Sequence, residues 1–176
     1  IESMSAELEV FQIIESIVKK YKIQDSRLEI NSLGSEEDQR NFSKALQAFL
    51  KPLKSKLDKD SQNRLEKNPL RILDSKSTET KEVLSNAPKI AEFRSKNSTS
   101  NFNLLKNLLN DFGIEYKENE NLVRGLDYYN DAVFEWKSDS LGSQNTFCAG
   151  GRYDSLAKKL GGRQTSAIGA SLGIDR

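Results

Sequence analysis

Two short segments in the second half of the chain each combine arginine, glycine, aspartate and tyrosine. The first contains Arg124, Gly125, Asp127, Tyr128 and Tyr129, and the second contains Gly150, Gly151, Arg152, Tyr153 and Asp154. Arginine binds anionic oxygens, aspartate binds an ammonium group, tyrosine offers a flat polar ring, and glycine lets a ligand approach the backbone. The combination suits a zwitterionic or phosphorylated small molecule. It is equally typical of turns that carry surface ion pairs, so the residues alone leave both interpretations open.

The chain contains no histidine and a single cysteine, Cys148, which excludes several kinds of chemistry. No imidazole base, Ser-His-Asp triad or HExxH zinc site can form without histidine. One cysteine forms neither an internal disulfide nor a cysteine-rich zinc site, and it indicates a reducing, cytoplasmic compartment. The nucleotide-binding patterns GxxxxGK[ST] and GxGxxG are also absent. Chemistry must therefore use carboxylates, arginines, tyrosines or backbone groups, and no metal held by protein side chains is expected.

The net charge of +1 hides an uneven distribution of 27 basic and 26 acidic side chains. Residues 40–76 carry ten basic and four acidic side chains. This segment supplies the candidates for contact with a phosphate backbone, which are Arg40, Lys44, Lys51, Lys54, Arg64 and Arg71. The alternative is an ordinary solvated helix face, and charge alone favours that alternative.

The elements that must position these groups are helical in the first part of the chain. Apolar residues recur every three or four positions, which predicts helices over residues 6–21, 42–57 and 98–112. Pro52 should interrupt the second helix, and Gly113 should end the third. The apolar face of the first helix is predicted at Ala6, Val10, Ile14, Ile17, Val18 and Tyr21.

Alternation with a period of two predicts strands at residues 27–30, 114–116, 132–136 and 146–149. No segment of helical length separates the last two strands, so antiparallel pairing is expected among the three strands of the second half. No run approaches the roughly 18 apolar residues of a membrane span, and no membrane partner is expected. The helices of the first part and the strands of the second part assign the chain to the α+β class.

Three segments, in this order and spacing, resemble the later part of the catalytic domain of histidyl-tRNA synthetases. LVRGLDYY at residues 122–129 and AGGRYD at residues 149–154 are similar to the two signature segments of that family. GIDR at residues 173–176 resembles the start of class II motif 3. The stretches at residues 28–34 and 68–76 are also similar to the bacterial-type enzymes, so the resemblance spans nearly the whole chain.

The resemblance implies the fold of a class II aminoacyl-tRNA synthetase, an antiparallel sheet flanked by helices with a mostly helical insertion. It implies that residues 1–34 and 116–176 belong to the catalytic core. Residues 35–115 would form the insertion, which in this family lies near the acceptor arm of the tRNA. The basic segment falls inside that insertion, and the resemblance therefore favours its contact with RNA.

The resemblance also implies a reaction, in which ATP activates histidine to histidyl-adenylate and the histidyl group passes to tRNA(His). Arg124 would be the catalytic residue that holds the α-phosphate of ATP, and Arg176 would pack on adenine and meet the γ-phosphate. The histidine pocket would be lined by Tyr128, Tyr129 and Tyr153, with Asp127, Gly150, Gly151 and Arg152 as further walls. The expected partners are histidine, ATP with the Mg²⁺ that it carries, tRNA(His), and a second copy of the full-length enzyme.

Motif 1, motif 2 and the anticodon-binding domain of the family are not recognisable in the sequence. The chain therefore resembles the part of the catalytic domain from after motif 2 to the start of motif 3. Two alternatives stay open. One is the synthetase-like regulatory subunit of ATP phosphoribosyltransferase, against which the long segment at residues 35–115 argues, and the other is a non-catalytic tRNA-binding module.

We predict that the 176-residue chain alone does not catalyse histidine-dependent exchange between pyrophosphate and ATP. The reason is that the motif 2 arginine, which the family uses to bind ATP, is missing from this sequence. Incorporation of labelled pyrophosphate into ATP measures the exchange, with histidine omitted as the control. Robust exchange by the purified chain would contradict the prediction.

Overall fold

The computed structural model describes residues 4–142 and 144–175, and its frame is a five-stranded sheet. The strands are β1 (Ser26–Ser32), β2 (Tyr116–Glu118), β3 (Asn130–Ser138), β4 (Thr146–Arg152) and β5 (Ile168–Leu172). Their spatial order is β2-β1-β3-β4-β5. The neighbouring pairs from β1 to β5 are antiparallel, whereas β2 lies parallel to β1 at the edge. The predicted α+β class, with its antiparallel sheet flanked by helices, is confirmed.

The helices are α1 (Ser5–Tyr21), α2 (Glu36–Leu50), α3 (Lys59–Lys67), α4 (Thr78–Leu84), α5 (Lys96–Asp111) and α6 (Leu156–Lys159). Short 3₁₀ turns connect several of them, at Lys51–Lys56, Pro69–Ile72, Ile90–Phe93 and Asp139–Leu141. Pro52 lies in the first of these turns, and α2 ends at Leu50, because proline cannot supply the backbone donor that would continue the helix. Among the described residues, no helix has both the length and the apolar character needed to cross a membrane.

One face of the sheet is covered by α1 and α5. The side chains of Phe134 and Trp136 on β3 are buried there, and the ring of Phe11 on α1 contacts both, with centroid distances of 4.6 and 5.4 Å. Both contacts have edge-to-face geometry, which aromatic quadrupoles favour. Burial of each ring stabilises the fold by roughly 1.5–3 kcal/mol. These contacts fix the side of β3 that faces the core.

The apolar face of α1 is rotated slightly from the predicted one. Ala6, Ile14 and Val18 are buried as predicted, but Tyr21 is 69% exposed. The buried stripe instead includes two residues that the prediction left out, Leu8 and Phe11. Both the predicted and the observed stripes follow a spacing of three and four residues, so periodicity alone does not decide between them.

The opposite face of the sheet is packed against the helices that follow β1. Phe42, Leu46 and Leu50 on α2 form a second core with residues of α3 and the adjoining turns. That core reaches the sheet at Val133 on β3 and includes Leu122 in the loop before that strand. α5 lies within residues 35–115 yet packs in the first core with α1, so the boundaries of the insertion stay a prediction.

Asp58 holds the small helices of the second core together. It caps α3, and its carboxylate accepts hydrogen bonds from the hydroxyls of Ser61 at 2.6 Å, Ser75 at 2.7 Å and Thr80 at 2.8 Å. Burial acts to raise the pKa of Asp58, but these hydrogen bonds outweigh it and hold the pKa well below its usual range. The ionised carboxylate therefore joins three chain segments that have few apolar residues of their own.

The helical segment between β1 and β2 begins with α2 and ends with α5, and hydrogen bonds hold its two ends together beside β1. Asp38 in the first turn of α2 accepts a hydrogen bond from the hydroxyl of Ser98 in α5 at 2.8 Å. Arg94 donates to the carbonyl of Ser32 at 3.0 Å and to the side-chain oxygen of Asn31 at 2.7 Å. Both ends of the helical segment are thus held at the end of β1.

The pairing of β2 differs from the sequence expectation. Antiparallel pairing was expected among the three strands of the second half, and β3 and β4 do pair in this way. β2 instead pairs in parallel with β1, with Leu28 opposite Tyr116. The physical reason is the connection, because α5 carries the chain back to the starting end of β1, as parallel pairs require.

We predict that Gly34→Ala destabilises the chain by about 2 kcal/mol or more, whereas Gly113→Ala costs about 1 kcal/mol. Both glycines have left-handed φ angles, of 69° and 65°. A Cβ at Gly34 would also lie 2.6 Å from Oδ2 of Asp38, whereas a Cβ at Gly113 would meet no atom within 4 Å. Urea unfolding of both variants measures the difference, and equal losses would contradict the proposed clash.

Candidate functional site

Arg124 lies in the loop before β3 and is held against the sheet by Glu135. One guanidinium nitrogen, Nη1, donates to Oε1 of Glu135. Glu135 is itself fixed, because Oε2 accepts from the hydroxyl of Thr146 at 3.1 Å and pairs with Nζ of Lys137 at 3.2 Å. Among the described residues, no acceptor reaches the buried Nε of Arg124. Arg124 is therefore a fixed cation, and because its side chain is 24% exposed and lines the cleft described below, it can pair with an anionic ligand.

Three tyrosine rings stand together beside Arg124. The centroid of Tyr129 lies 4.6 Å from that of Tyr128 and 6.1 Å from that of Tyr153, and Tyr128 lies 5.8 Å from Tyr153. Burial raises the pKa of Tyr129, the neighbouring Tyr128 adds to the rise, and Arg124 opposes it. Tyr129 therefore keeps its hydroxyl proton at neutral pH and can donate or accept a hydrogen bond.

The two glycines of AGGRYD lie on different faces of the sheet. Gly151 faces the tyrosines, and a Cβ there would lie 2.9 Å from Cδ1 of Tyr129 and 2.7 Å from the carbonyl oxygen of Ala132. Gly151 therefore lets the Tyr129 ring lie directly on β4. Gly150 faces the aromatic core, where a Cβ would lie 2.7 Å from Cζ of Phe134. The structure thus brings Gly151 to the site but not Gly150.

Arg152 also lies away from the tyrosines, on the α1 side of the sheet. Its guanidinium donates from Nε to Oε1 of Glu7 at 2.6 Å and from Nη2 to Oε2 at 2.8 Å. The side chains of both residues are almost fully buried. The expectation that Arg152 forms a wall of the pocket is corrected, because a bidentate ion pair turns this side chain toward α1.

A cleft of about 480 Å³ opens between α2 and the LVRGLDYY loop. Its charged lining residues are Arg40, Lys44, Lys67, Arg124 and Lys159, with Glu36, Glu66 and Asp127. Tyr129 also lines this cleft, which therefore reaches from the basic face of α2 to the tyrosines. Asp127 is exposed at its edge and accepts a hydrogen bond from Nδ2 of Asn68 at 2.5 Å. This contact ties the loop to the start of the NPLR turn.

The other basic candidates lie outside the lining of the cleft, although the Arg71 guanidinium approaches the LVRGLDYY loop, where a Cβ at Gly125 would lie 3.4 Å from Nη2. Lys51 and Lys54 are exposed on the turn beyond the end of α2. Arg64 is half-buried, and its Nη1 donates to the carbonyl of Arg71 at 3.3 Å. Arg176, the expected adenine contact, lies outside the described residues. The structure therefore brings only Arg40 and Lys44 of the six basic candidates into the charged lining of the cleft.

Sequence reasoning missed the acidic partners that hold the two arginines. Glu135 interrupts an apolar strand, and this signal could have marked it as a functional or paired residue. Glu7 lies within the apolar stripe of α1, but nothing in the sequence identifies its partner 145 residues away. Within residues 4–142 and 144–175, no three His, Cys, Asp or Glu side chains gather where they could hold a metal ion.

The architecture matches known structures of histidyl-tRNA synthetases. The fold superimposes on apo histidyl-tRNA synthetase of S. aureus with a TM-score of 0.78, at 33% identity, over the whole of this chain and 43% of that one. A Bacillus halodurans protein described as an ATP phosphoribosyltransferase regulatory subunit/histidyl-tRNA synthetase matches with a TM-score of 0.62 at 21% identity, over 99% of this chain and 49% of that one. At that identity, the second match reflects the fold alone.

The sequence comparisons assign the family. The model of the family described as Histidyl-tRNA synthetase matches residues 1–176, and the chain belongs to this family. It is 49% identical over 171 residues to the histidine–tRNA ligase of Buchnera aphidicola subsp. Schizaphis graminum, covering 97% of this chain and 40% of the relative. For the ligase of Francisella tularensis subsp. novicida the identity is 48% over 176 residues, covering 99% and 42%. The chain thus spans about two fifths of the length of these relatives.

We predict that Glu7→Gln lowers the free energy of unfolding by roughly 3 kcal/mol, because it removes the charge that compensates buried Arg152. Glu9→Gln is the matched control, since Glu9 is exposed on the same helix and should change stability by less than about 0.5 kcal/mol. Urea unfolding at neutral pH compares the two variants. Similar stabilities for both would show that the buried pair is not needed to hold α1 on the sheet.

Proposed function

We propose that this chain forms part of the active site of a histidine–tRNA ligase, which activates histidine with ATP and transfers it to tRNA(His). The observation that carries the proposal is the guanidinium of Arg124, which Glu135 fixes and which lines the same cleft as Tyr129. Relatives that carry the name histidine–tRNA ligase support it. The guanidinium can bind the phosphate of an aminoacyl phosphate, and the three clustered tyrosines can bind its aminoacyl part.

Arg124 is the proposed catalytic residue. In the activation step, a carboxylate oxygen of histidine attacks the α-phosphorus of ATP, a new P–O bond forms, and the bond to pyrophosphate breaks. Negative charge builds on the α-phosphoryl oxygens during this step. Arg124 stabilises that charge, and because Glu135 already holds the guanidinium, little reorganisation is needed when the charge develops.

Tyr129 and Tyr153 are the proposed contacts for the imidazole of histidine, with Tyr128 packed beside them. A phenol donates one hydrogen bond and accepts others, so a pair of phenols serves both ring nitrogens of a neutral imidazole. Asp127 at the edge of the cleft is a candidate for the ammonium group, and Gly151 shapes the floor under Tyr129. Gly150 and Arg152 support this pocket from the opposite face.

ATP is the proposed second substrate, and Mg²⁺ would come with its phosphates, since the described side chains offer no cluster of metal ligands. Arg176 is the proposed contact for the adenine and the γ-phosphate. The cleft that joins Arg40 and Lys44 to the tyrosines is the proposed path for the acceptor end of tRNA(His). A cytoplasmic location and a full-length homodimer belong to the same proposal.

The alternatives make different predictions. A tRNA-binding module would bind acceptor stems in a salt-dependent way even when Arg124 is replaced, because only the basic face of α2 would be required. A regulatory subunit would bind histidine but would not support the activation step. Measuring histidine-dependent exchange with this chain inside a full-length enzyme separates both alternatives from a ligase.

The test is a chimera in which this chain replaces the matching segment of the Buchnera ligase. We predict that Arg124→Ala lowers kcat for histidine-dependent pyrophosphate exchange by about 100-fold or more, because the contact with the α-phosphoryl group strengthens in the transition state. The KM for histidine should change by less than about threefold. Arg163→Ala, an exposed arginine, is the matched control and should leave both constants unchanged.

Two results would contradict the proposal. A raised KM with unchanged kcat would mean that Arg124 only binds the ground state. An inactive chimera that is folded, as judged by circular dichroism and cooperative unfolding, would argue against the ligase function of this segment.

A further inference from the structure

Asn130 and Asp154 bind each other next to the two tyrosines of the pocket. Asn130 follows Tyr129 directly in the sequence, and Asp154 follows Tyr153. Oδ1 of Asn130 accepts from the backbone N–H of Asp154 at 2.8 Å, and Nδ2 of Asn130 donates to Oδ2 of Asp154 at 3.1 Å. The side-chain amide of one segment thus holds both the backbone and the side chain of the other.

Asp154 is in turn anchored to the rest of the fold. Its other oxygen, Oδ1, accepts from the backbone N–H of Ala167 at 2.8 Å and from Nη1 of Arg152 at 3.1 Å. Arg152 is fixed to α1 by the buried pair with Glu7. A continuous chain of polar contacts therefore runs from α1, through the sheet, to the loop that carries Tyr129.

The strand ladder does not hold this loop by itself. The register between β3 and β4 shifts between Asn130 and Val133, and Asp131 lies in the left-handed region with a φ of 47°. β3 and β4 pair at Asn130 opposite Arg152 and again at Val133 opposite Gly151, so the ladder is present but irregular beside Tyr129. Ring contacts leave the spacing of the tyrosines loosely defined, because dispersion is weakly directional. Directional hydrogen bonds from the Asn130 side chain add a constraint where the ladder is irregular.

We propose that Asn130 and Asp154 act as positioning residues, forming a clamp that sets the distance and angle between the rings of Tyr129 and Tyr153. Neither side chain needs to touch the ligand. The ligand in question, histidine, rests on the function proposed above, whereas the effect on ring geometry does not. Binding groups must be held to within a fraction of an ångström of their productive positions. Loss of the clamp therefore weakens the affinity for the ligand even in a folded chain.

The first test compares Asn130→Ala with Asn107→Ala, a matched substitution at an exposed position of α5. Nuclear Overhauser contacts between the rings of Tyr129 and Tyr153, 6.1 Å apart by centroid, are measured on the chain with labelled tyrosine. We expect Asn130→Ala to lose these contacts and to bind L-histidine about tenfold more weakly in a chemical-shift titration. Asn107→Ala should match the unsubstituted chain in both measurements.

The second variant, Asn130→Asp, has the same shape and guards against misfolding of the first. Its carboxylate can still accept from the backbone N–H of Asp154 but has no donor for Oδ2, and it faces the charges of Asp131, Asp154 and Arg152. Protonation of one carboxylate restores a donor. Two adjacent carboxylates raise the pKa of one of them, so the pair takes up this proton at a higher pH than an isolated carboxylate does. The Tyr129–Tyr153 ring contacts should therefore be weak near about pH 8 and recover toward about pH 5, whereas those of the unsubstituted chain stay constant.

Ring contacts that persist in both variants, with unchanged histidine affinity, would overturn the clamp. Loss of stability in a folded variant, without change in ring contacts or affinity, would also overturn it, because that result describes a purely structural role. Failure of the unsubstituted chain to bind histidine would instead count against the proposed function, and the ring contacts would still decide the clamp.

Discussion

A β-strand sends successive side chains to opposite faces of its sheet, and this constraint at β3 organises the whole structure. Phe134 and Trp136 enter the core beneath α1 and α5. Val133 and Glu135 lie on the other face, where Glu135 binds Arg124. A shift of β3 by one residue would turn Glu135 into the aromatic core and turn Phe134 and Trp136 to the charged face of the sheet. The same register that forms the dry core therefore places the only acidic partner recorded for Arg124 among the described residues.

The charged face of the sheet is an alternating array rather than a set of isolated pairs. Glu135 lies between Arg124 and Lys137, and Lys137 pairs in turn with Glu29 at 2.8 Å. Asn119 at the sheet edge donates to the same glutamate at 2.7 Å. Each half-buried charge thus has an opposite neighbour, which offsets the cost of removing it from water. Arg124 stands at one end of this array, so its position is set by groups that take no part in binding a ligand.

Local rules accounted for much of the fold. The spacing of Phe102, Leu105 and Leu109 placed a helix that ends before Gly113, because periodicity and the left-handed cap are properties of neighbouring residues. The partner of β2 and the orientation of Arg152 could not be obtained in this way. Both depend on contacts between segments that are far apart in the sequence, and a single sequence gives no direct information about such contacts. The resemblance identified the two signature segments, but it did not separate the residues of AGGRYD that face the tyrosines from those that face α1.

The register of β1 also has a consequence for the order of folding during synthesis. Leu28 pairs with Trp136, so β1 lacks its central neighbour until about a hundred more residues have been added, which takes roughly 5–20 s at ordinary rates of translation. The helices that follow β1 can meanwhile form most of the second core from residues close in sequence. Hydrogen bonds from Arg94 to the end of β1 and from Ser98 to Asp38 in α2 then bring α5 back beside α1. The segment that carries the tyrosines and Arg124 therefore pairs with β1 only after the residues of the second core have been added.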